Sequence, residues 1–376
     1  MIFKISKNVL NNVINSVIRA INSNSPIKSL TGILIDVKKD NVSFLASDSD
    51  LTIFEKLLVS DEKNKLEISE EGSIVLDAKY LSEIIRKIEG QIINIEMIDG
   101  TLVKIYDDLT DFNLNGLLKR NYPDIEIKQL DKNFNISKQL LKKMIQKTIF
   151  ATSIKETRPV LTGINFNYNH SKRLITFIAT DSYRLSLINE NLLYEEDFNF
   201  TVPRKVLIEL IKSLEDDNNI TVSYSNQMVQ FSDNHSIIQS TLLDGIFPET
   251  KRLIPTEFNC EYRFNKKQLE NALDRSSFLK TDNNLAYVKF SAKNDLITIT
   301  NISQEVGSFK ETIKAIENKG SDIVVSFSVK FMLDSLKSLD SNEIVVKFSG
   351  DMRPFIIIDP DNDKHLNLVV PVRSYN

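Results

Sequence analysis

The sequence predicts an α+β protein of three repeated domains, each with about two helices and eight mostly antiparallel strands. Three observations carry that prediction. Several segments recur in the same order, six stretches space their apolar residues as helices do, and alternating apolar–polar runs lie between them. At 376 residues the chain is too long for one ordinary core.

The repeat is read first. FKISKNVLNNVI (3–14) returns as FNISKQLLKKMI (134–145), about 131 residues on, and more loosely as YRFNKKQLENAL (262–273). Each reads as a short strand, an Asn or Ser helix start, then a helix. Leu30-Thr31-Gly32-Ile33 returns as Leu161-Thr162-Gly163-Ile164, and Ala46-Ser47-Asp48-Ser49-Asp50 as Ala179-Thr180-Asp181-Ser182-Tyr183. A second helix signal occurs three times, as KYLSEIIRKI (79–88), KVLIELIKSL (205–214) and KFMLDSLKSL (330–339). The six helices are placed at 8–22, 78–89, 137–152, 204–216, 266–280 and 329–340. Alternating runs at 92–98, 174–179, 220–224, 296–300 and 344–348 mark half-buried strands, set off by turn residues such as Asp99-Gly100. Polar or Pro-containing joins near 124–132 and 253–257 divide the chain into domains at 1–126, 127–254 and 255–376.

Composition bounds the function. The balance of apolar and charged residues is that of a soluble globular protein, and no apolar run is long enough to span a membrane. The alternation begins at Met1 without a leader pattern, and Cys260 is the only cysteine; both fit a cytoplasmic protein without disulfides. A net charge of −4 argues against tight sequence-specific DNA binding, yet the six helices carry 17 Lys/Arg against 9 Asp/Glu. The segment 137–152 is the extreme, with Lys138, Lys142, Lys143 and Lys147 and no acid. Segregated in this way, the basic residues suit sequence-independent contact with phosphate. Ordinary solvated helix faces are the alternative.

Further motifs sharpen the reading. ATDSYRL (179–185) resembles the A-T-D-x-x-R-L signature of the bacterial DNA polymerase III beta subunit family, the sliding clamps. VPRK (202–205), GIFPETKRLIP (245–255) and VVPVR (369–373) are similar to other motifs of that family, in the same order over the whole chain. The resemblance implies the DNA clamp fold, a head-to-tail homodimer of six domains closed as a ring around duplex DNA, and a non-enzymatic processivity factor. A ring holds DNA topologically and needs only a weakly positive lining. The implied partners are the replicative DNA polymerase, the clamp loader and other clamp-motif proteins; no membrane, cofactor, metal or catalytic residue is implied.

Carried over by motif, a partner-peptide groove would use Thr180, Ser182, Tyr183, Arg184, Leu185, Pro248, Arg252, Leu253, Val370, Pro371, Val372 and Arg373. Arg158, Leu161, Met352 and Pro354 join it from adjacent segments. Apolar walls with a few orienting polar groups suit a linear peptide, although Leu185, Leu253 and Val370 taken singly read as core. The family often has Gly and His where Ser182 and Tyr183 stand, a change that narrows the groove rim. The DNA-facing set is Arg19, Lys28, Lys79, Arg86, Lys138, Lys142, Lys143, Lys147, Arg204, Lys205, Lys212, Lys266, Lys267, Lys330 and Lys337. Ser25 occupies the place of a family arginine, with Lys28 nearby. The dimer interface would join Phe112 and Leu114, on an edge strand, to Phe278 and Leu279; ordinary core packing is the alternative.

Other classes fit less well. His170, His235 and His365 lie in separate polar contexts without metal-ligand spacing, and no Gly-rich phosphate loop is present. Asp48, Asp50 and Asp181 could serve acid–base chemistry, but their recurrence in two repeats suits turn formation. A peptide-binding scaffold without a ring would be free to be a monomer. A single-strand binder would need aromatics among its basic residues, and these helices have few.

Overall fold

The computed structural model describes residues 1–127, 130–155, 157–280, 285–303 and 306–373. Two positions of the first expected join, 128 and 129, lie outside them. Six α-helices form where the periodicity places them: α1 (Lys7–Val17), α2 (Ala78–Lys87), α3 (Lys138–Thr148), α4 (Arg204–Ile211), α5 (Lys266–Ser276) and α6 (Val329–Lys337). Two starts are capped as their sequences suggest. Asp77 accepts from the Lys79 and Tyr80 amides at 3.0 and 3.2 Å, and Asn265 accepts from that of Gln268 at 3.0 Å. All six end earlier than expected. After α1 and α3 the chain tightens into 3-10 turns, Ile18–Ala20 and Ile149–Ala151.

The described residues form nine strands up to Asn115, eight from Lys132 to Thr241 and nine from Cys260 onward. The alternating runs read from the sequence are all strands, for example Leu174–Thr180 and Glu343–Phe348. The repeated Thr-Gly has a packing cause. A Cβ on Gly32 would stand 2.6 Å from a Val75 methyl, and one on Gly163 would stand 2.2 Å from the Val202 carbonyl oxygen.

Chain contacts define two compact units, Met1–Lys138 with Ile208–Leu242, and Gln139–Leu207 with Leu243–Asn376. The cut passes through the middle repeat because its strands are divided between sheets. In the first unit, Lys132–Ser137, Asn219–Tyr224, Met228–Ser232 and Ser236–Thr241 extend an eight-stranded sheet begun by the first repeat. The joining pair is antiparallel, Ser236–Thr241 beside Leu51–Leu58, with Ile238 opposite Ile53. In the second unit, Arg184–Asn191 pairs likewise with Asn362–Val369, Leu185 opposite Leu368, inside a nine-stranded sheet. One rule covers both joins: the last strand of a repeat pairs with the fourth strand of the repeat before it. That rule leaves two strands over, Asp111–Asn115 in the first unit and Gly307–Lys314 in the second, each at an edge of its sheet.

Apolar helix faces pack on these sheets; Leu10, Ile14 and Val17 of α1 and Leu269, Ala272 and Leu273 of α5 are buried. The third repeat closes on an aromatic core in which Phe290 meets Phe264, Phe327 and Phe348 at 5.7–6.2 Å between ring centroids. Cys260 is buried in that core. Burial, with the charges of Asp322 and Glu261, pushes its thiol up to about 11.

Candidate partner groove and nucleic-acid interface

The expected groove residues gather in the second unit around the turn from Leu174–Thr180 into Arg184–Asn191. Thr180 Oγ1 donates to the Arg184 carbonyl at 2.6 Å and accepts from the Ser182 amide at 3.1 Å. Asp181 Oδ1 accepts from the amides of Tyr183 and Arg184, both at 3.0 Å. Ser182 is thereby held at φ +77°. The first repeat builds the same turn: Ser47 Oγ donates to the Leu51 carbonyl, Asp48 accepts from the Asp50 and Leu51 amides, and Ser49 sits at φ +87°. Asp48 and Asp181 therefore act as turn builders.

Arg184, expected to face a peptide, is buried. Its Nε donates to Asp181 at 3.0 Å and its Nη1 to Asp334 on α6 at 2.6 Å, and its guanidinium lies 4.6 Å from the Phe331 ring centroid. It is a bolt between the turn and α6. Leu185 is 1 % exposed, and Leu161, Thr180 and Pro371 are also buried, so these five form the floor rather than the open surface. Exposed above it are Arg158, Ser182, Tyr183, Pro248, Arg252, Leu253, Met352 and Arg373, with Pro354, Val370 and Val372 half-buried.

Several of these are brought together. The Val370 amide donates to the Tyr183 carbonyl at 2.9 Å, the Tyr183 ring stacks toward Phe331, and Pro354 precedes Phe355, which pairs with Val369. An apolar cluster of Ile178, Leu185, Ile356 and Leu368 takes in Val370 together with Phe247, Ile254 and Phe258. Arg158 joins the set through its carbonyl, which accepts from the Leu161 amide at 3.0 Å. Phe247 is absent from the sequence-based set, although the Gly-x-Phe-Pro motif containing it was its signal.

The helix lysines are less free than their count suggests. Lys138 is 4 % exposed and is held by Asp216 and Asp233, both at 3.0 Å. Burial alone would lower its pKa, but the two carboxylates outweigh that and raise it. Lys147 is buried against Asp340 at 2.6 Å. Both are corrected from DNA-facing to structural.

Arg204 donates to the Ile149 carbonyl and Thr152 Oγ1, closing the end of α3, and Lys266 donates to the Leu339 carbonyl at 2.7 Å. Burial, and then the charge of Arg184, depress the Arg204 guanidinium. Arg19 is half-buried and hydrogen-bonds Ser16 and the Glu209 carbonyl, while Lys212 is exposed and paired with Glu209 at 2.8 Å. Arg86, Lys267 and Lys330 are exposed but paired along their own helices with Glu83, Glu270 and Asp334. Lys143 shares Glu190 with Lys364. Lys28, Lys79, Lys205 and Lys337 are exposed, and Lys142 is half-exposed.

Phe112 and Leu114 are half-buried on the edge strand Asp111–Asn115, and Phe278 is 64 % exposed. Leu279 is 2 % exposed and its carbonyl accepts from Asn301 Nδ2 at 2.8 Å, so it belongs to its own core. Among the described residues no group of three or more His, Cys, Asp or Glu is placed to hold a metal ion, and no helix is long and apolar enough to cross a membrane.

Three copies of a two-helix unit, lending strands to one another, define the ring-forming clamp fold. The N-terminal, central and C-terminal domain models of the DNA polymerase III beta subunit match residues 1–126, 135–249 and 251–373. The beta sliding clamp of Bacillus subtilis strain 168 is 39 % identical over 381 residues, and that of Staphylococcus epidermidis RP62A 34 % over 378, each covering all of both chains. The crystal structure of the Bacillus subtilis DNA polymerase sliding clamp overlays with a TM-score of 0.95 at 37 % identity over 100 % of both chains. The Streptococcus pneumoniae DNA polymerase III beta chain gives 0.95 at 29 % identity, covering 99 % of this chain and 100 % of that one. A Bartonella birtlesii sliding clamp bound to griselimycin gives 0.92 at 26 % identity over 100 % of both. The chain belongs to the DNA polymerase III beta subunit family.

Proposed function

We propose that this chain is a DNA polymerase processivity factor, a sliding clamp in which two copies join head to tail and encircle duplex DNA. In this reading it is not an enzyme, needs no cofactor and works in the cytoplasm. Its domains are 1–126, 127–254 and 255–376. The groove around Tyr183, Phe247, Leu253 and Val370 takes linear peptides from the replicative polymerase, the clamp loader and other clamp-motif proteins.

The observation that carries the reading is the strand-sharing rule. The last strand of the second repeat pairs with the fourth of the first, and the last of the third with the fourth of the second. Left over are the last strand of the first repeat, Asp111–Asn115, and the fourth of the third, Gly307–Lys314. Applied between copies, the same rule pairs these two edges. It makes a heterologous contact that closes when the second copy returns the favour. Phe112, Leu114 and Phe278 then lie at the seam, with Leu279 supporting it from beneath.

Light scattering at micromolar concentration, with retention on nicked circular and linearised DNA after loading by a clamp loader, tests the proposal. A dimer that stays on circles and slides off linear ends is expected. A stable monomer, or equal retention on both DNA forms, would overturn it.

A further inference from the structure

The strand Gly163–Asn169 of the middle repeat carries an asparagine at every second position. Ile164, Phe166 and Tyr168 enter the core, and Asn165, Asn167 and Asn169 stand on the opposite face. They line a hollow of about 540 Å³ that reaches Phe247 and Pro248, joined by Asn189 and Asn199 from neighbouring strands. The hollow at the same place in the first repeat, about 520 Å³, has Leu34 and Asp36 where the middle repeat has Asn165 and Asn167. Lys289 and Ser291 take those places on the matching strand of the third, Tyr287–Lys293. An asparagine-rich composition would have scattered amides over all three repeats; the ladder belongs to the one that carries the groove turn.

Much of its hydrogen-bonding capacity is unused by the protein. Asn165 Nδ2 and Thr176 Oγ1 donate to the side-chain oxygens of Asn199 and Asn189, both at 2.7 Å, and Asn169 Oδ1 accepts from the Lys172 amide at 2.9 Å. Among the described residues the side-chain nitrogens of Asn169, Asn189 and Asn199 have no acceptor, and the Asn167 amide has no partner at either atom. Lys172 and Lys251 stand exposed on the hollow without a carboxylate partner among the described residues. Its one acid, Glu249, is held by Arg252 at 3.2 Å. The hollow is continuous with the groove. Ile178, Leu187 and Phe247 line it and belong to the apolar cluster that holds Leu185 and Val370, and Pro248 serves both.

We infer that this hollow takes the extended, acidic flank of a partner peptide whose apolar core lies in the groove. The inference rests on the groove of the clamp reading and deepens it, naming chemistry recognised beyond the motif itself. An extended chain turns an N–H and a C=O to the same side at every second residue, about 6.8 Å apart. Amides two residues apart on a strand repeat at that spacing, and each offers both a donor and an acceptor. The ladder therefore matches a backbone whatever its side chains, as strand addition does. Lys172 and Lys251 add the preference for acid, with no carboxylate of the hollow free to repel it.

The test is fluorescence anisotropy of labelled peptides on the full-length protein. One is a minimal clamp-motif peptide from the replicative polymerase; two others are lengthened at one end or the other by six residues of alternating serine and aspartate. Lengthening at one end should tighten binding about tenfold. Asn167→Val, an exchange that a strand accepts, should remove most of that gain and leave the minimal peptide's Kd as it is. Lys172→Ala/Lys251→Ala should reduce the gain to that of a flank with asparagine in place of aspartate. Equal affinity of the three peptides for the wild type, or a full gain in Asn167→Val at unchanged urea midpoint, overturns the inference and leaves the groove standing. Saturable binding of ATP that is lost in Asn167→Val, with no gain from either flank, would overturn it by assigning the hollow to a nucleotide. Failure of the minimal peptide to bind overturns the groove and the inference together.

Discussion

His365 shows how one residue couples burial to pH. Its ring is buried, and Ser186 Oγ lies 3.2 Å from Nε2 while donating its own proton to the Lys147 carbonyl at 2.7 Å. The hydroxyl has one proton to give, so Nε2 carries the imidazole hydrogen and Nδ1 is the bare, unpartnered nitrogen. Burial, aided by Lys147 and Lys143 and opposed by Asp340, lowers its pKa to about 4. The unfolded chain therefore binds this proton more readily than the folded one. The stabilisation is complete above about pH 6.5 and is lost toward pH 4, by about 3 kcal/mol in all. His365→Gln should flatten that part of the profile, read as urea midpoints between pH 7 and 4.5; an unchanged profile would place the acid sensitivity elsewhere. Arg184→Met should cost about 2 to 4 kcal/mol in the same assay, because Asp181 loses its cation and Asp334 is left with Lys330 at 3.5 Å. Such pairings were not legible in the sequence. Lys138 reads as one of four free lysines on a helix, and its carboxylates come from 78 and 95 residues away.

At the scale of elements the sequence was informative about starts and poor about ends. All six helices begin within a residue of their expected places, since caps and the first apolar turn are local signals. Their ends run short. The apolar spacing continues through Ile18 and Ile149 into 3-10 turns, and past Ser276 to Leu279, which is buried without being helical. That last error shaped the expected interface, since a leucine on a helix end and a leucine folded beneath it look alike in sequence. The two neighbours should now part in experiment. Leu279→Ala should lower the urea midpoint by the equivalent of about 3 kcal/mol through lost core packing. Phe278→Ala should leave the midpoint in place and weaken self-association, seen as a scattering mass that falls on dilution. The opposite pattern would restore Leu279 to the seam. The groove motif was similarly readable as a set, but the burial of Leu185 depends on Leu368, its partner on a strand more than a hundred residues distant.

For the whole molecule, three repeats were legible and the division of labour among them was not. Recurrence in the sequence cuts the chain in three, whereas contact cuts it in two, through the middle repeat whose strands serve both neighbours. Strand register across repeats is a non-local property that no window of sequence carries. It bears on assembly: Leu114→Lys places a charge on the edge strand Asp111–Asn115 and should give a monomer by light scattering, with its fold intact by circular dichroism. A dimer of wild-type affinity would show that this edge is not the seam. Binding to short duplexes should fall steeply with salt, while loaded protein on nicked circles should survive the same salt, because one is held by charge and the other by closure. Parallel losses would mean that no closure exists.

The buried thiol of Cys260 has a practical side. With its pKa pushed up to about 11, on the order of one molecule in ten thousand carries the thiolate at neutral pH, and that sulfur is shut inside the third repeat. Maleimide reagents therefore find almost no native target. A cysteine introduced at Asn113 or Ser308 would take a single dye on an otherwise silent background. The opening and resealing of the edges could then be watched one molecule at a time, without first engineering the natural cysteine away.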